Sequence, residues 1–137
     1  MTRELKEKLL SYDEPFTLHN GIRFTDFADG YARAEADVTA DSLNHWGGPH
    51  GGMLFTLMDI VCGASAVTLR QESCVTVSSN INFIAAAKEG DHLIAEGRVR
   101  KQGGHLTFCD AEIHDGTGRL LATATSTMYF TGRKLFA

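Results

Sequence analysis

The sequence predicts an α+β fold in which an antiparallel β-sheet wraps around one long central α-helix. Three observations carry that expectation: one long apolar run at about 51–69, two-residue alternation on either side of it, and clusters of turn-forming residues between the alternating segments. A chain of 137 residues, 43% apolar and 22% charged, suits a single domain over 1–137 with a continuous core, and neither disorder nor a fibrous repeat.

The elements follow in order. Leu5, Leu9 and Leu10, separated by Glu4, Lys6, Glu7 and Lys8, mark a short amphipathic helix on the outside of the domain, ended by Pro15. From Gly21 the period changes to two. In YARAEADV, Ala32, Ala34, Ala36 and Val38 face one way, and Tyr31, Arg33, Glu35 and Asp37 the other. Joined to GIRFTDF across Ala28–Asp29–Gly30, this is a hairpin. Beyond the apolar run come strand-like segments at 74–84, 91–101, 105–114 and 119–130, broken at Glu89–Gly90–Asp91, Gln102–Gly103–Gly104 and Asp115–Gly116–Thr117–Gly118. Short turns between consecutive strands imply antiparallel neighbours. Val75, Val77, Ser79, Ile81 and Phe83 are expected on one face of the first of these, with Thr76, Ser78, Asn80 and Asn82 on the other. Only the helix at about 51–69 is apolar enough all round to cover the sheet, and Met53, Met58, Phe55, Phe83 and Phe108 read as core packing.

Composition excludes several functions. A formal net charge of -4 provides no basic field for a phosphate backbone, so nucleic acid is not an expected partner. Cys62, Cys74 and Cys109 are odd in number and widely spaced, which suits reduced packing cysteines in a cytoplasmic protein. The N-terminus, MTRELKEKLLSYDE, is charged where a signal peptide would be apolar. Residues 53–69 are short for a membrane span, and Asp59 would cost about 2.5–3.5 kcal/mol at a bilayer centre, so no membrane is expected. A metal set of His45, His50, Asp59 and Cys62 would depend on a glycine- and proline-bearing loop without rigid geometry; neither metal nor cofactor is expected.

The chemistry concentrates in GGPHGGMLFTLMD, residues 47–59. Two glycines at a helix start allow close approach of a ligand to the backbone, and first-turn N–H groups present a positive end. The Gly51 N–H is therefore a candidate oxyanion donor, a role typically worth about 2.7–4 kcal/mol in a transition state. Asp59 lies roughly 12 Å further along the helix axis, at about 1.5 Å per residue, so one helix cannot bring both groups to one reacting atom. A second chain could.

Asn44-x-x-Gly47-x-x-His50-Gly51-Gly52, followed by Asp59 within the apolar helix, resembles the signature of hotdog-fold acyl-CoA thioesterases, in the branch of PaaI and thioesterase superfamily member 2. The resemblance continues through NINFIAAAKEGDHLIAEGRV to the last strand. It implies a site shared between two subunits, with Asp59 as general base or nucleophile and Gly51 polarising the thioester carbonyl. Asn44 then matches the amide that holds water or thioester, His50 the histidine that supports the loop, and Thr76 a hydroxyl that orients water. It further implies a homo-oligomer, a tetramer built as a dimer of dimers, and an aryl or short- to medium-chain acyl-CoA substrate. Lys88, Arg98, Arg100 and Lys101 are candidates for the coenzyme A phosphates. His45, Trp46 and Pro49 decorate the loop more heavily than the family pattern, and Ala86 stands where proline is common.

Two other readings belong beside this one. A non-catalytic hotdog module would bind acyl-CoA without turning it over, yet a pure binder has no need of a carboxylate in an apolar helix. A hotdog hydratase or dehydratase would want an Asp/His pair; DSLNH and DAEIH offer only loose spacings.

Overall fold

The structure is a computed structural model that describes residues 1–136. Helix α1 (Arg3–Leu10) begins where the Thr2 side chain accepts the Leu5 N–H at 3.2 Å, and it buries Leu5 and Leu9 while Leu10 stays exposed. Pro15 does more than end this helix. It occupies the first turn of a second, short helix, α2 (Pro15–His19), where its missing N–H costs nothing.

Strands β1 (Arg23–Ala28) and β2 (Tyr31–Asp37) form the expected hairpin, and Ala32, Ala34 and Ala36 are fully buried. A row of alanines keeps this face shallow, so the long helix α3 (Gly51–Arg70) can sit close to it. The other strands are β3 (Glu72–Phe83), β4 (His92–Gln102), β5 (Leu106–Asp115) and β6 (Leu120–Lys134). All pairings are antiparallel, in the order β1-β2-β4-β5-β6-β3. Helix α3 touches every strand, so the sheet wraps it. Leu57, Met58, Val61 and Cys62 are buried against Leu93, Ala95 and Ile113. At Gly97 the contact is so close that an added Cβ would collide with the Val61 carbonyl.

Two expectations about β3 are corrected. It does not pair with β4, its successor; residues 84–91 instead carry the chain from one edge of the sheet to its middle, tied to β6 by Ile84 and Ala85 N–H bonds to the Leu121 carbonyl. The alternation of β3 also breaks. A register shift between Thr76 and Ser78 makes Val77 a bulge, so Cys74 and Thr76 face the helix, as do Ser79 and Phe83 beyond the shift. Val75 and Val77 are exposed on the side away from the helix, and β3 is an edge strand with no neighbour on one side among the described residues. Phe55, Phe83 and Phe108 are likewise exposed, and of the five residues expected in the core only Met58 is fully buried there.

Candidate functional site

The loop before α3 is built by short polar contacts. Asn44 Oδ1 accepts the Trp46 N–H at 2.8 Å and the Gly48 N–H at 3.2 Å, and the Asn44 N–H donates to the Gly48 carbonyl at 2.7 Å. Gly47 makes this tight return possible at φ 85°. The His50 N–H donates to the Ser42 carbonyl, while its Nδ1 accepts the Gly52 N–H at 2.8 Å and so caps α3. With Nδ1 spent on the cap, His50 supports the loop. Among the described residues no group of three or more histidine, cysteine or acidic side chains is arranged to hold a metal.

This capping leaves a specific vacancy in the first turn. The Met53 and Leu54 N–H groups donate to the His50 carbonyl and the Gly52 N–H to the imidazole, whereas the Gly51 N–H has no acceptor among the described residues. Gly51 lines a cavity of about 390 Å³ with Asn44, Pro49, Phe83 and Ala87. An added Cβ at Gly51 would stand 3.2 Å from the Phe83 ring, so this glycine is the residue that lets the ring lie over the helix start.

Asp59 faces elsewhere. Its Oδ1 accepts the Thr76 hydroxyl at 2.6 Å, across from β3, and both residues line a second cavity of about 320 Å³ with Phe24, Phe27, Cys74 and Met128. The bulge at Val77 is what turns Thr76 onto the helix-facing side and into reach of the carboxylate. Burial pushes the neighbouring Cys74 thiol up to about 11, so at neutral pH it is protonated and no rival nucleophile. Within one chain, the cavity of Gly51 and the cavity of Asp59 share no lining residue.

The four cations are not brought together. Lys88 lies beside the start of β4, whereas Arg98, Arg100 and Lys101 occupy its far half, roughly 20–30 Å away at ~3.3 Å per residue. Arg98 stacks on Tyr31 at 4.6 Å and Arg100 pairs with Asp110 at 3.2 Å on the sheet surface. Lys88 alone stands next to the loop that lines the Gly51 cavity. The sequence reading missed Tyr12, Phe24 and Phe27 as cavity residues, since nothing in their local pattern says which segment crosses the open side of α3.

Comparison with known proteins gives a consistent setting. The profile of the Thioesterase superfamily matches residues 47–122, which include the end of the capped loop, α3, strands β3, β4 and β5, and the first residues of β6. Acyl-coenzyme A thioesterase 13 of Homo sapiens is 31% identical over 134 residues, covering 94% of this chain and 96% of the relative. Among solved structures, the PaaI protein of the Escherichia coli phenylacetic acid degradation operon superposes with a TM-score of 0.89, over 96% of this chain and 94% of that one. Its identity of 24% speaks to the hotdog fold alone. A thioesterase protein from Streptococcus pneumoniae, solved with coenzyme A, is 34% identical with a TM-score of 0.78, covering 82% of this chain and 90% of that one. Two variants of the pneumococcal protein, one with an aspartate and one with a threonine changed to alanine, have also been solved.

Proposed function

The chain belongs to the thioesterase superfamily, and on that premise we propose that it hydrolyses acyl-CoA thioesters at sites shared between two copies of itself. The observation that carries this reading is the Gly51 N–H, left without an acceptor at a helix start while its three successors are engaged. A donor of that kind gains most when charge develops on a carbonyl oxygen.

The free edge of β3 provides a way to complete the site. Thr76 touches Asp59 and Phe83 touches Gly51, so antiparallel pairing of β3 with its copy, about a two-fold axis between Ser79 and Asn80, sets Thr76 opposite Phe83 of the partner. Asp59 of one copy then faces Gly51 of the other. A water held at Asp59 loses a proton to the carboxylate as its oxygen bonds to the thioester carbon; the oxyanion rests on the Gly51 N–H. Collapse breaks the carbon–sulfur bond, and the proton returns from the Asp59 carboxyl to the leaving thiolate. If the carboxylate itself attacks the carbon, the oxyanion forms in the same place, the thiolate leaves to give a mixed anhydride, and water then cleaves that anhydride at the Asp59 carboxyl carbon, releasing the free acid. Single turnover in labelled water separates the two routes, because only the second leaves the label on Asp59.

Thr76 holds one carboxylate oxygen and leaves the other for the reacting partner. Asn44 and His50 keep the donor loop in shape, and Lys88 is the best placed of the candidate cations for a coenzyme A phosphate. Two copies suffice for the site, and the tetramer and a cytoplasmic setting rest on the resemblance and on three unpaired cysteines. The test is a panel of acetyl-, octanoyl- and phenylacetyl-CoA with free thiol as the readout. Turnover that falls with Asp59→Asn supports the reading; tight binding of all three without thiol release replaces it with a non-catalytic acyl-CoA module.

A further inference from the structure

Helix α3 is not covered all the way round. Asp59, Ile60, Gly63, Ala64 and Val67 form one stripe along it, at the spacing of a single helical face, and this stripe floors the cavity that begins at the carboxylate. The walls come from the two ends of the sheet: Phe24 and Phe27 from β1, Cys74 and Thr76 from β3. The cavity is therefore a slot where the wrapped sheet fails to close. From Asp59 to Val67 it spans eight residues, or about 12 Å of helix axis.

The chain termini meet at the Val67 end of this slot. The Leu135 N–H donates to the Gln71 carbonyl at 2.8 Å, which fixes the C-terminal tail just past the end of α3, and Leu135 lines the slot. From the other terminus, Leu9 and Tyr12 line it too. Tyr12 and Phe136 meet edge to face at 6.2 Å, and the Lys8 ammonium lies 5.8 Å from the centre of the Phe136 ring. Two remote segments thus clasp across one place. Leu5 and Leu9 carry the first of these segments into the core, and Leu135 and Phe136 pack against it from the second, whereas Tyr12 remains 52% exposed.

We infer that this slot receives the acyl group of the thioester and that the clasp between Tyr12 and Phe136 sets its length, selecting apolar medium-chain or arylalkyl acyl groups over acetyl and over long chains. The inference rests on the thioesterase reading, because it is Asp59 and Thr76 in the slot that mark one end as the reacting end. The floor and walls are apolar apart from those two residues, Ser73, Tyr12 and Glu14. Glu14 lies two residues from the clasp, and its carboxylate disfavours acyl groups that themselves end in a carboxylate. Selectivity by such a wall is about tenfold or more per methylene.

The test compares kcat/KM for acetyl-, octanoyl-, dodecanoyl- and adipyl-CoA. Ala64→Leu puts a branched side chain in the slot about 7.5 Å beyond Asp59. It should lower the octanoyl-to-acetyl ratio by at least about tenfold. Tyr12→Ala with Phe136→Ala opens the clasp at one exposed and one half-buried position and should raise the dodecanoyl-to-octanoyl ratio by a similar factor, with thermal unfolding of the same variant checking that it is folded. Wild-type turnover of octanoyl-CoA with both ratios unmoved in these variants overturns the slot and leaves the thioesterase reading standing. Absence of thiol release from every thioester by the wild-type protein removes the reading and the slot together.

Discussion

The two edges of the sheet are treated in opposite ways. Along β1, helix α1 buries Leu5 and Leu9, Lys6 reaches Asp26 at 2.6 Å, and the N-terminal ammonium meets Asp29 at 2.8 Å. Along the outer edge of β3 there is no such cover among the described residues: Val77 is 60% exposed and Phe83 56%, and one side of the strand has no neighbour. A long, apolar, unpaired edge invites pairing with another chain. On the proposed function, the bare edge is the one that would pair with a copy. Both edges border the slot beside Asp59, but only the bare edge carries Thr76 and Phe83, the residues next to Asp59 and Gly51.

The strongest way to break the comparison is to charge the bare edge. Val77→Lys should yield a folded monomer in sedimentation equilibrium, with thiol release lost by more than about a thousandfold, since a lone chain holds no complete site. A fully active monomer would contradict the whole account. Next in size is Asp59→Asn, a nearly isosteric change that should lower turnover at least about a hundredfold while thermal unfolding stays level or moves up. The competing view, a structural ion pair, finds no cationic partner for Asp59 among the described residues. Thr76→Ala follows, with a loss of about tenfold in kcat and little change in KM, the scale of one hydrogen bond to a charged group. The smallest effect belongs to the covered edge: Lys6→Ala should cost under about 1 kcal/mol in denaturant unfolding and leave oligomer and turnover alone, since its pair with Asp26 is partly exposed.

Much of the fold was legible in the sequence because it is written locally. Ala32, Ala34 and Ala36 alternate with polar residues and are buried as a row, and the apolar run after Gly51–Gly52 is the helix that touches every strand. The strand order was less accessible. Whether residues 84–91 turn back or cross the sheet depends on contacts with β6 and not on their own composition. Alternation also fails at one inserted residue: the bulge at Val77 moves Thr76 to the opposite face from the one its period assigns. In the candidate site, the glycines, His50 and Asp59 stood close together in one stretch. The acyl slot did not, since Tyr12, Phe27 and Leu135 come from segments joined only by folding.

The central claim is that each site takes Asp59 from one copy and Gly51 from another. Its most direct measurement mixes two variants that are each inactive, Asp59→Asn and Gly51→Val, the second of which forces a side chain into the Phe83 ring. After subunit exchange, verified by native mass spectrometry, half of the pairs are mixed and each mixed pair holds one intact site, so thiol release should return to about a quarter of the wild-type rate. Mixed pairs that form and remain inactive would show that the two groups do not meet across chains.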